Sequence, residues 1–232
     1  MAIRADDRAA VQKIPLFSRL GARTATRLFR SAQVHHYGPG SILFREGDQP
    51  EHLHVAIESY VCLKASDGRG EEHVIEFVPA GTAFIVAAIM LNRPVLMTAQ
   101  VVQPGRVLLI PADDFRRAVD ADLSLARAVL RAQSQHWRSL VGQLKSLKMQ
   151  TATQRLASFL LSLAEGQTAP ATVELPCERR LLATWLGMVP TSASRSFSEL
   201  EKIGVEGRGA RLQIRSLERL AAYARGIPFG KG

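Results

Sequence analysis

Thr191, Ser192, Ser194 and Arg195 fall within five consecutive positions, directly after Pro190. Their chemistry is hydrogen-bond display. An arginine fork can pair bidentately with guanine O6 and N7, and hydroxyls can reach base edges or phosphates. Plainer roles stand beside these: Arg195 as a phosphate clamp, Thr191 and Ser192 as helix caps. Arg208 and Arg211 follow in the glycine-rich stretch Gly204–Ile214, placed for phosphate contacts or else in a solvated turn. The chain also carries six histidines, His35, His36, His52, His54, His73 and His136. Neutral imidazole ligates haem iron, and spacing singles out none of the six. Cys62 and Cys177 form no CxxC. A disulfide framework, a cysteine-ligated zinc site and an iron–sulfur cluster are therefore not expected. Cys177, just ahead of the Arg195 region, reads as an exposed thiol or a thiol switch. No GxSxG, P-loop, HExxH or Rossmann fingerprint occurs, and Asp113-Asp114 sits where acids favour a helix start. An enzyme is not expected.

A display of this kind needs a rigid helix under it. Residues 178–203 fit two helices joined at Gly187-Met188-Val189. Small Ala183 allows a close crossing, Gly187 suits the tight turn, and Ala193 packs back inside. Pro190 fits a first helical turn, where its missing N–H costs nothing. Leu182, Leu186, Phe197 and Leu200 supply a core. This is helix-turn-helix spacing, and Gly204–Ile214 reads as the wing of a winged helix.

Upstream, Leu123, Ala126, Leu130, Gln133, Trp137, Leu140, Leu144 and Leu147 recur at alternating spacings of 3 and 4. That heptad seam predicts a long helix pairing with an identical copy across a two-fold axis, or else packing on its own domain. A following helix runs through Arg155–Leu163, capped by Thr151 or Thr153 and ended by Gly166 and Pro170. Before the seam, from 33 to about 111, short apolar stretches alternate with turn signals such as Gly38-Pro39-Gly40, Asp67-Gly68 and Pro79-Ala80-Gly81. Residues 55–57, 60–63, 73–78, 98–102 and 106–110 read as strands of an all-β barrel or sandwich. Residues 1–30 read as a helical lead-in. The expected organisation is α+β: a β-rich sensor domain over 1–120, a dimerisation helix over 121–148 and a winged helix-turn-helix over 149–232.

The 232 residues carry a net charge of +9, which favours a polyanionic partner such as DNA. The excess is spread along the chain, so the motif and not the charge marks the DNA-binding half. The longest apolar run, Ala83–Leu91, is about half the ~18 residues a membrane span needs. A cytoplasmic chain with no membrane partner is expected.

Taken together, Gly40-Ser-Ile-Leu-Phe-Arg-Glu-Gly47, Pro79-Ala-Gly81, the heptad helix, Arg155-Leu-Ala-Ser-Phe-Leu-Leu161 and Ser194-Arg195 resemble the Crp/Fnr family of transcription regulators over nearly the whole chain. The resemblance implies a β-roll of the jelly-roll, cyclic-nucleotide-binding type, a homodimer, a palindromic promoter site in double-stranded DNA, and RNA polymerase as a further partner. Departures bear on what is sensed. Thr191 stands where the Fnr-like reading helix has glutamate. No N-terminal cysteine cluster serves an Fnr-type iron–sulfur sensor. Gly81-Thr-Ala-Phe-Ile lacks the acid that holds ribose, and Arg93 precedes Pro94 rather than serine, so cyclic AMP is not expected. The stretch lacks the Cys and His of the carbon-monoxide sensors. What remains is similar to the DNR/NnrR-type branch, which implies a nitric oxide response, haem as cofactor, and an activator. The apolar segment 84–90, with Phe84, Ala87 and Met90, would then face Trp137 across an uncharged effector pocket. Regulation without a cofactor, constitutive or through Cys177, is one competing expectation, and a cyclic-nucleotide-binding adaptor that never touches DNA is another.

Overall fold

The computed structural model describes residues 3–207 and 209–227. It divides into two compact units, residues 1–138 and 139–232. The division falls inside the long helix, so each unit owns part of it.

In the first unit, α1 (Ala5–Gln12) and α2 (Ala22–Arg30) lead into eight strands. These are β1 (Gln33–Tyr37), β2 (Ile42–Phe44), β3 (His52–Ala56), β4 (Tyr60–Ser66), β5 (Glu72–Val78), β6 (Thr82–Phe84), β7 (Thr98–Gln103) and β8 (Gly105–Pro111). A short helix, α3 (Val86–Leu91), separates β6 from β7, and α4 (Ala112–Ala121) and α5 (Leu123–Met149) follow. The strands form two four-stranded antiparallel sheets, ordered β1-β8-β3-β6 and β2-β7-β4-β5. The Asp67-Gly68 turn closes β4 onto β5, with Asp67 Oδ1 accepting from the N–H groups of Arg69 and Glu71.

Strand alternation sorts side chains between two cores. Leu53 and Val55 of β3 and Leu108 and Ile110 of β8 point to the helices and join Phe17, Phe29, Phe115, Leu125 and Val129. Ala56, Val61, Leu63, Phe84, Ala99 and Val101 fill the space between the sheets. Each large side chain so buried stabilises the fold by about 1.5–3 kcal/mol. Strands β2 and β6 span three residues each, too short for alternation to mark them, which is why the sequence pattern passed over them.

Asp122 starts α5 by accepting from the Ser124 N–H at 2.9 Å. Hydrogen bonds from the Ser124 and Thr24 side chains hold its carboxyl down at about 2. Only Leu125 and Val129 of α5 are buried. The heptad positions lie elsewhere on the helix. Leu123, Leu130, Trp137, Leu144 and Leu147 are 50–68% exposed, while Ala126, Gln133 and Leu140 are half-buried. The single chain therefore packs α5 on its domain through one face and leaves the seam uncovered on another.

The second unit contains the end of α5 and α6 (Ala152–Leu163), β9 (Ala171–Glu174), α7 (Arg179–Trp185), α8 (Pro190–Glu201), β10 (Val205–Glu206), β11 (Arg211–Ile214) and α9 (Leu217–Ala224). Thr151, rather than Thr153, caps α6. Its hydroxyl accepts from the Gln154 N–H, and Gln154 Oε1 accepts in return from the Thr151 N–H. The expected hairpin β10–β11 gains a third strand, β9, in the order β10-β11-β9.

Candidate nucleic-acid interface

Helices α7 and α8 form the expected hairpin. Gly187 takes φ +64°, and a Cβ there would lie 3.1 Å from Leu147 Cδ2. A side chain at this position meets both backbone strain and a filled space. Leu182, Ala183, Leu186, Ala193, Phe197 and Leu200 are buried, as the spacing required. On the outer face Thr191, Ser194 and Arg195 are exposed and Ser192 is half-buried. The helix turn thus brings these four together in one display. Ser198 and Lys202 extend it by two further turns and, with Ser194, Arg195 and Glu199, line a shallow concavity. Arg211 is exposed at the start of β11. Arg208 lies outside the described residues.

The display is held from behind. The Thr153 hydroxyl donates to Glu199 Oε2 at 2.8 Å and lies 3.0 Å from Ser196 Oγ. The Tyr223 hydroxyl donates to Glu199 Oε1. These bonds hold the Glu199 carboxyl below its ordinary range. Burial, then the Glu199 contact, pushes the Tyr223 phenol up to about 12. The turn itself is clamped by Arg155, whose Nε donates to the Leu186 carbonyl at 2.7 Å and whose Nη1 donates to the Gln150 carbonyl at 2.8 Å. A cation at the end of α7 also suits its helix dipole. Arg179 stacks over the Phe197 ring at 4.2 Å and donates to the carbonyls of Gly207 and Gly209, tying α7 to the wing. Arg179, Glu199 and Tyr223 were not singled out in sequence, and Thr153 and Arg155 were read only as a cap candidate and as part of a helix. Their pairings join residues up to 70 apart, which no local pattern reports.

The sensor residues are placed differently. Phe84 is buried between the sheets, against the rings of Phe44 and His54. Ala87 is exposed, Met90 is half-buried, and Trp137 stands 67% exposed on α5. A cavity of about 400 Å³ does occur in this unit, but none of those four lines it. Its wall includes Tyr37, Phe44, His54, Ile85 and Leu109, and its rim includes Asp48 and Glu51. Here the structure separates one histidine from the other five. His54 is 7% exposed, and its Nδ1 lies 3.0 Å from the His52 carbonyl oxygen. A carbonyl only accepts, so Nδ1 carries the proton and Nε2 the lone pair. Burial lowers the imidazole to about 4, which keeps it neutral at pH 7. One signal was available in the sequence: His54 sits between Leu53 and Val55 in a strand buried from residue 53 to 56.

Cys62 and Cys177 are both buried and form no disulfide. This corrects the exposed thiol expected at Cys177, which packs inward at the end of the loop before α7. Among the described residues no helix is long and apolar enough to cross a membrane.

Residues 34–122 match the cyclic nucleotide-binding domain family, and residues 154–223 match the Crp-like helix-turn-helix domain. A structure from Ruegeria pomeroyi DSS-3, provisionally described as a cyclic nucleotide binding protein, is 32% identical over 94% of this chain and 96% of its own, with a TM-score of 0.66. The chain belongs to the Crp/Fnr family. It is a DNA-binding transcription regulator of that type. The transcriptional activator protein FnrA of Stutzerimonas stutzeri is 27% identical over 81% of this chain and 78% of its own length. DNR of Pseudomonas aeruginosa, 23% identical over 96% of this chain and all of its own, with a TM-score of 0.53, shares the fold. That likeness does not single out the nitric-oxide branch.

Within this Crp/Fnr framework the cavity can be tested against haem. His54 offers one free nitrogen of the right kind. The two propionates of haem would need cations, whereas the lining carries Asp48 and Glu51 and neither lysine nor arginine. The cavity does not fit haem. The same charge pattern disfavours the phosphate of a cyclic nucleotide.

Proposed function

We propose that this regulator works as a homodimer in the cytoplasm. Two chains pair along the α5 seam and set their α8 helices on half-sites about one DNA turn, ~34 Å, apart in a palindromic promoter. The observation that carries the pairing is the uncovered seam itself, with five large apolar residues exposed along one stripe of a single helix. A stripe of that kind is unstable in water and complementary to its own copy. Arg195 reads guanine, the hydroxyls of Thr191 and Ser194 adjust the contact, and Arg211 with Arg208 grips phosphate. Thr191 offers cytosine N4 a shorter, uncharged acceptor than a glutamate there would, so one position of each half-site is relaxed. By likeness to FnrA, a transcriptional activator, the bound dimer recruits RNA polymerase. The β-roll adjusts the seam and hence the spacing of the reading helices.

The test begins by selecting bound fragments from genomic DNA, then comparing the parent with Arg195→Ala on the selected site. Arg195→Ala should weaken specific binding about 10–100-fold, with dimer mass and thermal midpoint unchanged. Equal binding by the two proteins would remove α8 as the reading helix.

A further inference from the structure

We propose that the cavity bounded by β1, β2, β3 and the 45–51 loop binds an uncharged or cationic aromatic molecule that donates a hydrogen bond to His54 Nε2. For its regulatory consequence the proposal rests on the reading of the chain as an effector-controlled regulator. The binding itself does not.

The first argument is the imidazole. His54 is more than nine-tenths buried, and its Nδ1 proton is spent on the His52 carbonyl. Among the described residues nothing donates to Nε2. Nε2 is not among the fully buried unpartnered atoms, so it keeps some accessible surface, and His54 lines a concavity from which a donor could arrive. Its neutral form, enforced by burial, keeps Nε2 an acceptor across the physiological pH range. The second argument is the wall. Tyr37, Phe44, Ile85, Val95 and Leu109 present aromatic and aliphatic surface, and the volume of about 400 Å³ lies within the range of small-molecule sites. The third is charge. The carboxylates of Asp48 and Glu51 lie on the lining with no lysine or arginine, which repels anions and tolerates cations. A metal ion is not favoured, because His54 does not gather two further ligating side chains.

The wall also connects to the seam helix. Ile85 holds φ +57°, a strained conformation for a β-branched residue. It leads directly into α3, whose Val86 and Ile89 pack in one core with Leu125 and Val129 of α5. A ligand pressing on Ile85 therefore bears on the helix that carries the seam.

The test uses full-length protein with ¹⁵N-labelled histidine. Indole and tryptamine are the neutral and cationic probes, and indole-3-acetate and cyclic AMP the anionic ones. Indole and tryptamine should bind saturably and shift the His54 Nε2 resonance, with indole-3-acetate at least about tenfold weaker. His54→Phe should lose at least about tenfold in affinity for both. Should that variant fail to fold, Glu51→Lys, at an exposed rim position, should turn the preference toward indole-3-acetate. The proposal is overturned if neither neutral nor cationic probe moves His54, if His54→Phe binds as the parent does, if Glu51→Lys leaves the preference unchanged, or if an anionic probe binds best. Promoter binding of the unliganded parent is measured separately, so failure of the cavity leaves the reading-helix assignment standing.

Discussion

In residues 139–232 the groups offered to a partner lie outward on a little over one turn of α8. On the same helix the buried Ser196 meets Thr153, and the exposed Glu199 accepts from Thr153 and Tyr223. In residues 1–138 the group offered to a partner points inward, and its surroundings are drawn from β1, β2, β3, the 45–51 loop and the approach to α3. Both sites present hydrogen-bonding atoms on a rigid scaffold. They differ in what the solvent does. Arg195 and Ser194 are exposed, so in the proposed reading they would discriminate by hydrogen-bond pattern as DNA displaces water. The His54 residue is 7% exposed, so a donor that reaches its ring from the cavity displaces less water than one that meets an exposed side chain.

The largest expected effect separates display from use. Leu130→Glu combined with Leu144→Glu places four carboxylates across a paired seam, at positions that are 68% and 53% exposed in the single chain. The chain should stay folded and become monomeric in sedimentation. Affinity for a palindromic site should then fall at least about 100-fold, because the second half-site no longer adds an effective concentration. A dimer that survives both changes would mean that the seam is not the interface, and the α8 display would need another means of pairing.

What could be read in advance follows the same division. A helix repeats on itself, so Ala183, Gly187, Ala193 and the outward Thr191, Ser194 and Arg195 were all legible from spacings of three to ten residues. The seam was legible for the same reason. The cavity was not, because Tyr37, Phe44, His54, Ile85 and Leu109 meet only after eight strands have paired across two sheets. An apolar run at 84–90 signalled burial but not its direction. Phe84 ends β6 facing the inter-sheet core, and α3 begins two residues later with Ala87 outward. Residues 84, 87 and 90 therefore do not share one pocket.

Acid titration sharpens the enclosed half of the comparison. The unfolded His54 imidazole takes up a proton near its ordinary 6.5, and the folded one only near 4. Above pH 6.5 both are neutral and the group adds no pH dependence. Between 6.5 and 4 the unfolded chain binds more protons, so stability falls as the pH falls, by up to about 3 kcal/mol. Denaturant midpoints of the first transition should show this slope, and His54→Phe should flatten it. His136 works in the other direction. Its hydrogen bond to Glu76, at 3.3 Å, raises its pKa. Its stabilisation is present below the ordinary 6.5 and is lost as the pH rises through the raised value. A flat acid limb in the parent would mean that His54 is already protonated or solvated in the fold, and the enclosed site would then resemble the exposed one.

The smallest effect tests whether the display is held from behind. Tyr223→Phe removes one donor to Glu199 and leaves the Thr153 bond in place. Hydrogen bonds to a carboxylate are stronger than neutral ones, but Glu199 is exposed and water can replace the lost donor. The expected cost is therefore about 1 kcal/mol or less of second-unit stability. The more telling readout is the carboxyl. With its leading hydrogen bond gone, the Glu199 pKa should rise toward its ordinary value, and the high phenol titration near 12 should vanish with the ring hydroxyl. Ser196 and Glu199 lie on the helix that carries Arg195, so a loosened back should show as a faster dissociation from the selected site, by two- to fivefold on the order of one weak bond. If Glu199 titrates as before and dissociation is unchanged, α8 is held by its apolar face alone. Leu200 and Phe197 would then suffice to aim Arg195, and the polar anchors behind the helix would be incidental to the display.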